Sequence, residues 1–232
     1  MRMPGCKIKI CGVTREQDVK LIGECGADFA GLLIDMPSKR TLDEARAAEL
    51  KAASAVPVAL LFFDKPREDV ARIAERLAPA AVQLQGHEPP HDIQWLRARV
   101  QCEIWKGVHL PALGQGQIQS QETLARMNDY SMAGADVILL DTVVKPQQGA
   151  EQMGGTGKTF DWNAAAELSA VFPGRVMLAG GLNPENVGRA IDLVHPWGVD
   201  LASGVESGTP GVKDPDKVRA FIREVRKSDL FY

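Results

Sequence analysis

The sequence is poor in cysteine and histidine, carries no excess of positive charge and has no long apolar run. Each shortage closes a class of function. The 4 cysteines, Cys6, Cys11, Cys25 and Cys102, are too sparse for a disulfide framework in a chain of 232 residues, and none stands in a CxxC. No His-rich spacing accompanies them, so no metal is expected and the cysteines read as free thiols. With 27 Lys and Arg against 30 Asp and Glu, the net charge of −3 offers no basic face to a nucleic acid. No apolar run is long enough to span a bilayer, so no membrane partner is expected. The opening MRMPGCKIKI enters a strand pattern without an apolar leader, which reads as a cytoplasmic protein.

What is present is a globular composition, 45% hydrophobic and 25% charged, enough to bury a substantial core. Apolar runs at 6–11, 29–34, 56–63, 80–85, 102–110, 136–141, 175–181 and 198–204 predict strands. Between and after them, 15–25, 41–53, 66–77, 91–99, 119–133, 161–170, 184–193 and 213–226 predict helices. Repeated strand-then-helix units require crossover connections, and therefore parallel strands. Eight units over 1–232, with no break in composition, predict an α/β protein: a single (β/α)8 TIM barrel with an eight-stranded parallel sheet. The alternative, a doubly wound open sheet, usually carries GxGxxG after its first strand, and that is absent.

The first strand, KIKIC, alternates lysine with isoleucine. In a barrel the outer face meets the helices, so Ile8 and Ile10 point outward and Lys7, Lys9 and Cys11 point in. Closure sets the last strand beside the first, and GVDLASG carries Asp200. An interior ammonium without a counter-charge is very costly, so Lys9 is expected to pair with Asp200 across that seam.

Active sites in this fold are built where strands end at their C-terminal edge. AGGLNPENV (179–187) sets Gly180 and Gly181 after a strand, then Asn183 as a helix cap with Pro184 at the first helical position. ASGVE (202–206), with Ser203 and Gly204, resembles it after the last strand. Glycines let backbone N–H groups approach an anion, so these segments suit a phosphate, although tight turns alone also favour glycine. GGTGKTFDW (154–162) is not a P-loop, because the first glycine of GxxxxGK[ST] would fall at Gln152. It reads as a closing loop, with Asp161 capping the next helix. Cys11 and Asp141 end strands on opposite sides of the barrel, where a thiol and a carboxyl suit base and acid roles in proton transfer. The plainer readings are a small buried apolar side chain for Cys11 and a turn cap for Asp141.

KICGVT, GADFAGLL, VQLQG, LLDT, GGTGKTFDW, LAGGLNPENV and GVDLASGVES…PGVKD follow one another in the order seen in the phosphoribosylanthranilate isomerases, which this chain resembles along nearly its whole length. The resemblance implies a (β/α)8 barrel without a cofactor. It also implies an Amadori rearrangement in tryptophan biosynthesis that turns N-(5-phosphoribosyl)anthranilate into its 1-deoxyribulose form. It casts Asp141 as general acid on the ribose ring oxygen and Cys11 as general base on the C2′ proton. Lys9 beneath Cys11 would favour a thiolate. Arg40 would grip the anthranilate carboxylate through its planar fork. Gly180, Gly181, Asn183, Ser203 and Gly204 would cradle the phosphate, with Gly155 closing over it. A small phosphosugar is then the only partner implied, and the chain would be a monomer or a homodimer.

Three segments depart from the family pattern. Gln85 stands where VQLHG has histidine, with His87 after the glycine; the second strand runs into DMPSKR rather than an aromatic-rich YPKSPR; and the third ends LLFFD. All three concern the sugar–anthranilate half of the site. They leave open a paralogous isomerase for another phosphorylated amino sugar; separately, from another reaction class, a Schiff-base aldolase working through Lys9 or Lys106 stays open.

Overall fold

The computed structural model describes residues 5–144, 152–153 and 157–228. Its strands are β1 (Lys7–Cys11), β2 (Phe29–Ile34), β3 (Thr41–Leu42), β4 (Val58–Phe62), β5 (Ala81–Leu84), β6 (Glu103–Pro111), β7 (Val137–Val144), β8 (Gln152–Met153), β9 (Arg175–Leu178) and β10 (Gly198–Leu201). The helices are α1 (Glu16–Glu24), α2 (Glu44–Ala53), α3 (Arg67–Leu77), α4 (Pro90–Arg97), α5 (Ser120–Met132), α6 (Trp162–Val171), α7 (Val187–Val194) and α8 (Pro215–Ser228). Eight parallel strands run in the order β1-β10-β9-β7-β6-β5-β4-β2, and a β1–β2 pairing closes the ring. The two short strands lie outside it: β3 pairs parallel with the end of β2, and β8 pairs antiparallel with β7.

The alternation in each strand sorts side chains into three packed groups. Outward residues, Ile8 and Ile10 among them, join the helices in the main core. Inward residues at the N-terminal end form a floor of Ala59, Ala81, Trp105, Val137, Leu139 and Met177, with Phe29 and Trp197 against it. Cys11, Leu33 and Leu61 form a smaller inward group at the opposite end, with Met36 and Ala202. Aromatic edges close the floor: the Phe29 and Trp105 ring centroids are 5.0 Å apart, and those of Trp105 and Trp197 are 6.2 Å apart.

Boundaries differ from the pattern where side chains intervene. The helix expected from 41 starts at Glu44, because 41–42 pair with β2 and the Asp43 carboxylate caps the Arg46 N–H. The helix expected from 184 starts at Val187. Asn183 Oδ1 accepts the N–H groups of Glu185 and Asn186, which holds the intervening residues in a turn. Asp161 caps α6 as expected, its carboxylate accepting the Asn163 N–H at 2.9 Å. The last strand stops at Leu201, and Ser203–Val205 coil into a 3₁₀ turn.

Candidate active site

A cavity of about 950 Å3 opens at the C-terminal end of the barrel, walled by Cys11, Arg40, Gln83, Gln85, Asp141 and Asp200. Gly180, Gly181 and Ser203 line it from the β9 and β10 side, and Met36, Phe63 and His87 from the side of β2 to β5.

Cys11 ends β1 because Gly12 follows in the left-handed region at φ +68°. Parallel register sets Lys9 opposite Asp200 on β10, and their charged groups approach to 2.8 Å with the ammonium fully buried. Burial works to lower the Lys9 pKa, but the Asp200 carboxylate and the Cys11 sulfur leave it raised. Cys11 itself departs from expectation. Burial lifts its thiol above the ordinary value, and the ammonium groups of Lys9 and Lys213 pull it down without prevailing. Lys9 thus moderates the thiol rather than ionising it.

Asp141 lies within β7, which runs three residues further than the pattern predicted. Its Oδ1 accepts the Thr142 N–H at 2.7 Å and its Oδ2 the Gln85 amide at 2.8 Å. Burial pushes this carboxyl up to about 6, against those two hydrogen bonds and the Lys9 charge, while Asp200 adds to the rise.

A second network braces Cys11 from outside. The Lys213 ammonium, fully buried, donates to the Cys11 carbonyl at 2.6 Å, to the Ala202 carbonyl at 3.0 Å and to Glu206 Oε1 at 3.2 Å. Glu206 in turn takes the Nε and Nη2 donors of Arg40, both at 2.7 Å. The Nε edge of the Arg40 fork is therefore engaged within the protein, while its outer edge, formed by Nη1 and the second N–H of Nη2, takes no part in that pair. That outer edge has the spacing to take a carboxylate with two parallel bonds. Gly12 makes this crossing feasible, since a Cβ there would lie 2.5 Å from Arg40 Cδ.

The phosphate wall is narrower than expected. Gly180 and Gly181 have φ of +77° and +66°, and among the described residues the backbone N–H groups of Gly180, Gly181 and Ser203 enter no hydrogen bond. Asn183 is engaged elsewhere: its side chain holds the 183–186 turn and its N–H donates to Asn186 Oδ1. Gly204 stands behind the wall, where a Cβ would be 2.0 Å from the Leu182 carbonyl oxygen. Gly155 lies outside the described residues. Lys158 docks on the wall, its carbonyl accepting from the Thr142 hydroxyl at 2.9 Å. A Cβ on Gly181 would lie 2.6 Å from the Lys158 carbonyl carbon.

Lys106 shares the outward face of Leu84 and Ile138 and donates to the Gly86 carbonyl at 2.7 Å and to Glu88 at 3.0 Å, away from the cavity. Lys9 is buried against Asp200. Neither amine is placed to attack a carbonyl, which removes the Schiff-base reading. Among the described residues no three His, Cys, Asp or Glu side chains gather as a metal site, and no helix is long and apolar enough to cross a membrane.

Residues 8–224 match the family model described as N-(5'phosphoribosyl)anthranilate (PRA) isomerase. The N-(5'-phosphoribosyl)anthranilate isomerase of Afipia carboxidovorans is 38% identical over 221 residues, 94% of this chain and 88% of that protein. Its counterpart in Haloferax volcanii is 38% identical over 220 residues, 93% of this chain and 91% of that one. The crystal structure of phosphoribosyl anthranilate isomerase from Thermotoga maritima superposes with a TM-score of 0.79 at 31% identity, covering 96% of this chain and 99% of that one. A structure of such an isomerase in complex with reduced 1-(o-carboxyphenylamino)-1-deoxyribulose 5-phosphate gives a TM-score of 0.77 at 29% identity, with coverage of 96% and 99%.

Proposed function

The chain belongs to the N-(5'-phosphoribosyl)anthranilate isomerase family, and from that premise we propose that Asp141 and Cys11 carry its two proton transfers. The reaction is the Amadori rearrangement of N-(5-phosphoribosyl)anthranilate to 1-(2-carboxyphenylamino)-1-deoxyribulose 5-phosphate, a step of tryptophan biosynthesis. One observation carries the assignment: the thiol and the carboxyl, both buried, face one cavity whose wall presents N–H groups that are unpartnered among the described residues.

Asp141 gives its proton to the ribose ring oxygen. The C1′–O bond breaks, the anthranilate nitrogen supplies the electron pair, and an iminium forms. That positive charge makes the C2′–H acidic. Cys11, as thiolate, removes this proton, and the electrons move to neutralise the iminium as an enolamine. Transfer of the enol proton to C1′ completes the ketone. The backbone N–H groups of Gly180, Gly181 and Ser203 suit the phosphate, as dipoles fixed before the ligand arrives. The outer Nη1–Nη2 edge of Arg40 suits the anthranilate carboxylate through two parallel charged hydrogen bonds. A substrate bearing both phosphate and carboxylate is a water-soluble metabolite, and we read the enzyme as cytoplasmic on that ground.

The test follows the fluorescence of freshly generated phosphoribosylanthranilate with the wild-type protein, Cys11→Ala and Asp141→Asn. Rapid decay with wild type is expected, and a loss of about 10²-fold to 10⁴-fold in each variant. Either variant turning over at the wild-type rate would remove that residue from its role.

A further inference from the structure

Asp141 does not stand alone on the inner face. Gln83 Nε2 donates to Gln85 Oε1 at 2.8 Å, and Gln85 Nε2 donates to Asp141 Oδ2 at 2.8 Å. All three side chains are buried, and all three line the cavity. We propose that Gln85 is a positioning residue for the general acid: its amide, oriented by Gln83, fixes the direction of the Asp141 carboxyl and stabilises it once the proton has gone. The inference rests on the acid role given to Asp141 above.

The direction of the chain follows from what each atom offers. Gln83 presents its amide nitrogen to Gln85 Oε1, so the Gln85 nitrogen must face Asp141. A carboxylate only accepts, so the contact is strongest after Asp141 has lost its proton. Room for the amide comes from Gly107 on the neighbouring strand, where a Cβ would lie 2.9 Å from Gln85 Oε1. His109 anchors the backbone at the same level, its Nε2 2.8 Å from the Gln85 carbonyl oxygen. Burial lowers the His109 pKa to about 4, so the ring is neutral at physiological pH and carries its proton on the nitrogen that faces this acceptor. Three neighbouring strands thus converge on one carboxyl. The histidine of the resembling VQLHG pattern is a titratable group, whereas an amide at 85 is not.

The charged and titratable groups that also face Asp141 are Lys9 and Cys11 on β1, Asp200 on β10 and His109 on β6. They remain in every variant below, so a change in titration reports the amide. In the full-length protein labelled with 13C-carboxyl aspartate, the titration midpoint of Asp141 is measured for wild type, Gln85→Leu, Gln83→Leu and Gln85→His, with kcat and KM for each. In Gln85→Leu the midpoint is expected to rise by about one pH unit, because the ionised form loses a donor in a buried site. Its kcat is expected to fall about 10-fold or more with KM little changed, the pattern of a mispositioned acid. Gln83→Leu shifts the midpoint in the same direction by less, since the Gln85 amide is then free to turn. Gln85→His restores both midpoint and kcat at a pH where its ring is neutral. A folded Gln85→Leu protein with an unmoved midpoint and unchanged kcat overturns the proposal. Failure of the acid assignment shows separately, as full turnover by Asp141→Asn.

Discussion

Asp141 and Cys11 titrate in the reverse of the order their roles demand. The acid is raised only to about 6, whereas burial holds the thiol above its ordinary range near 9. The working form has Asp141 protonated and Cys11 ionised. It carries one proton, as does the dominant form with the carboxylate and the thiol, so its share is constant between the two apparent values. The expected profile of kcat/KM therefore rises with pH to about 6, stays flat, and falls only as the thiol ionises. A phosphate ester of the substrate titrates near about 6 as well, so the 13C titration of Asp141 is needed to assign the lower limb. A profile that instead falls as pH rises through that value would mean that Cys11 is not the base. The seam pair carries a stability prediction. Lys9→Met leaves the Asp200 carboxylate buried without its partner, at an expected cost of about 3 to 5 kcal/mol in urea unfolding. Lys9→Met combined with Asp200→Leu should recover most of that loss, because neither charge then remains. A single variant as stable as wild type would show that the pair is not electrostatically coupled.

At the scale of elements, residues 158–159 and the loops after β9 and β10 depend on one another through close backbone contact. Gly181→Ala would thrust a Cβ to 2.6 Å from Lys158 and strain a residue at φ +66°. The segment 157–160 must then lift from the wall. Substrate KM is expected to rise about 10-fold, and the left-handed backbone at 181 to cost about 1 to 3 kcal/mol in urea unfolding. Unchanged KM would separate that segment from binding. This level also marks how far the sequence could be read. Period-two alternation in KIKIC and GVDL placed Lys9 and Asp200 on one face, and barrel closure supplied their adjacency. The Asp161 cap was legible because it is purely local. The network Arg40–Glu206–Lys213–Cys11 was not, since its hydrogen bonds join residues 166 and 202 positions apart, which no local pattern encodes. Gln85 was visible only as an odd residue in a familiar motif. Its contact with Asp141, 56 positions away, needed the sheet register. Asn183 misled for the opposite reason: the side chain does cap backbone N–H groups, but those of a turn before the helix.

Across the whole molecule, the barrel separates what holds it together from what it does. The floor is apolar and aromatic, with Trp105 fully buried beneath Phe29 and Trp197. The opposite end carries the acid, the thiol, the seam pair and the wall N–H groups that have no partner among the described residues. Burying charges and leaving donors open both cost stability, and the floor offsets that cost from the other end of the same strands. Trp105→Ala should therefore destabilise the protein by about 3 to 5 kcal/mol, through lost transfer free energy and the cavity left behind. It should leave kcat and KM of the folded fraction within about twofold of wild type at 25 °C, because Trp105 lies two inward positions below the level of His109 and Asp141 on the sheet. Urea unfolding and steady-state kinetics on the same preparation check both halves. A stable variant would deny that the floor is a main source of stability. A stable or unstable variant with kcat cut 10-fold would deny the separation, since strain from the floor would then be reaching Asp141 along the strands.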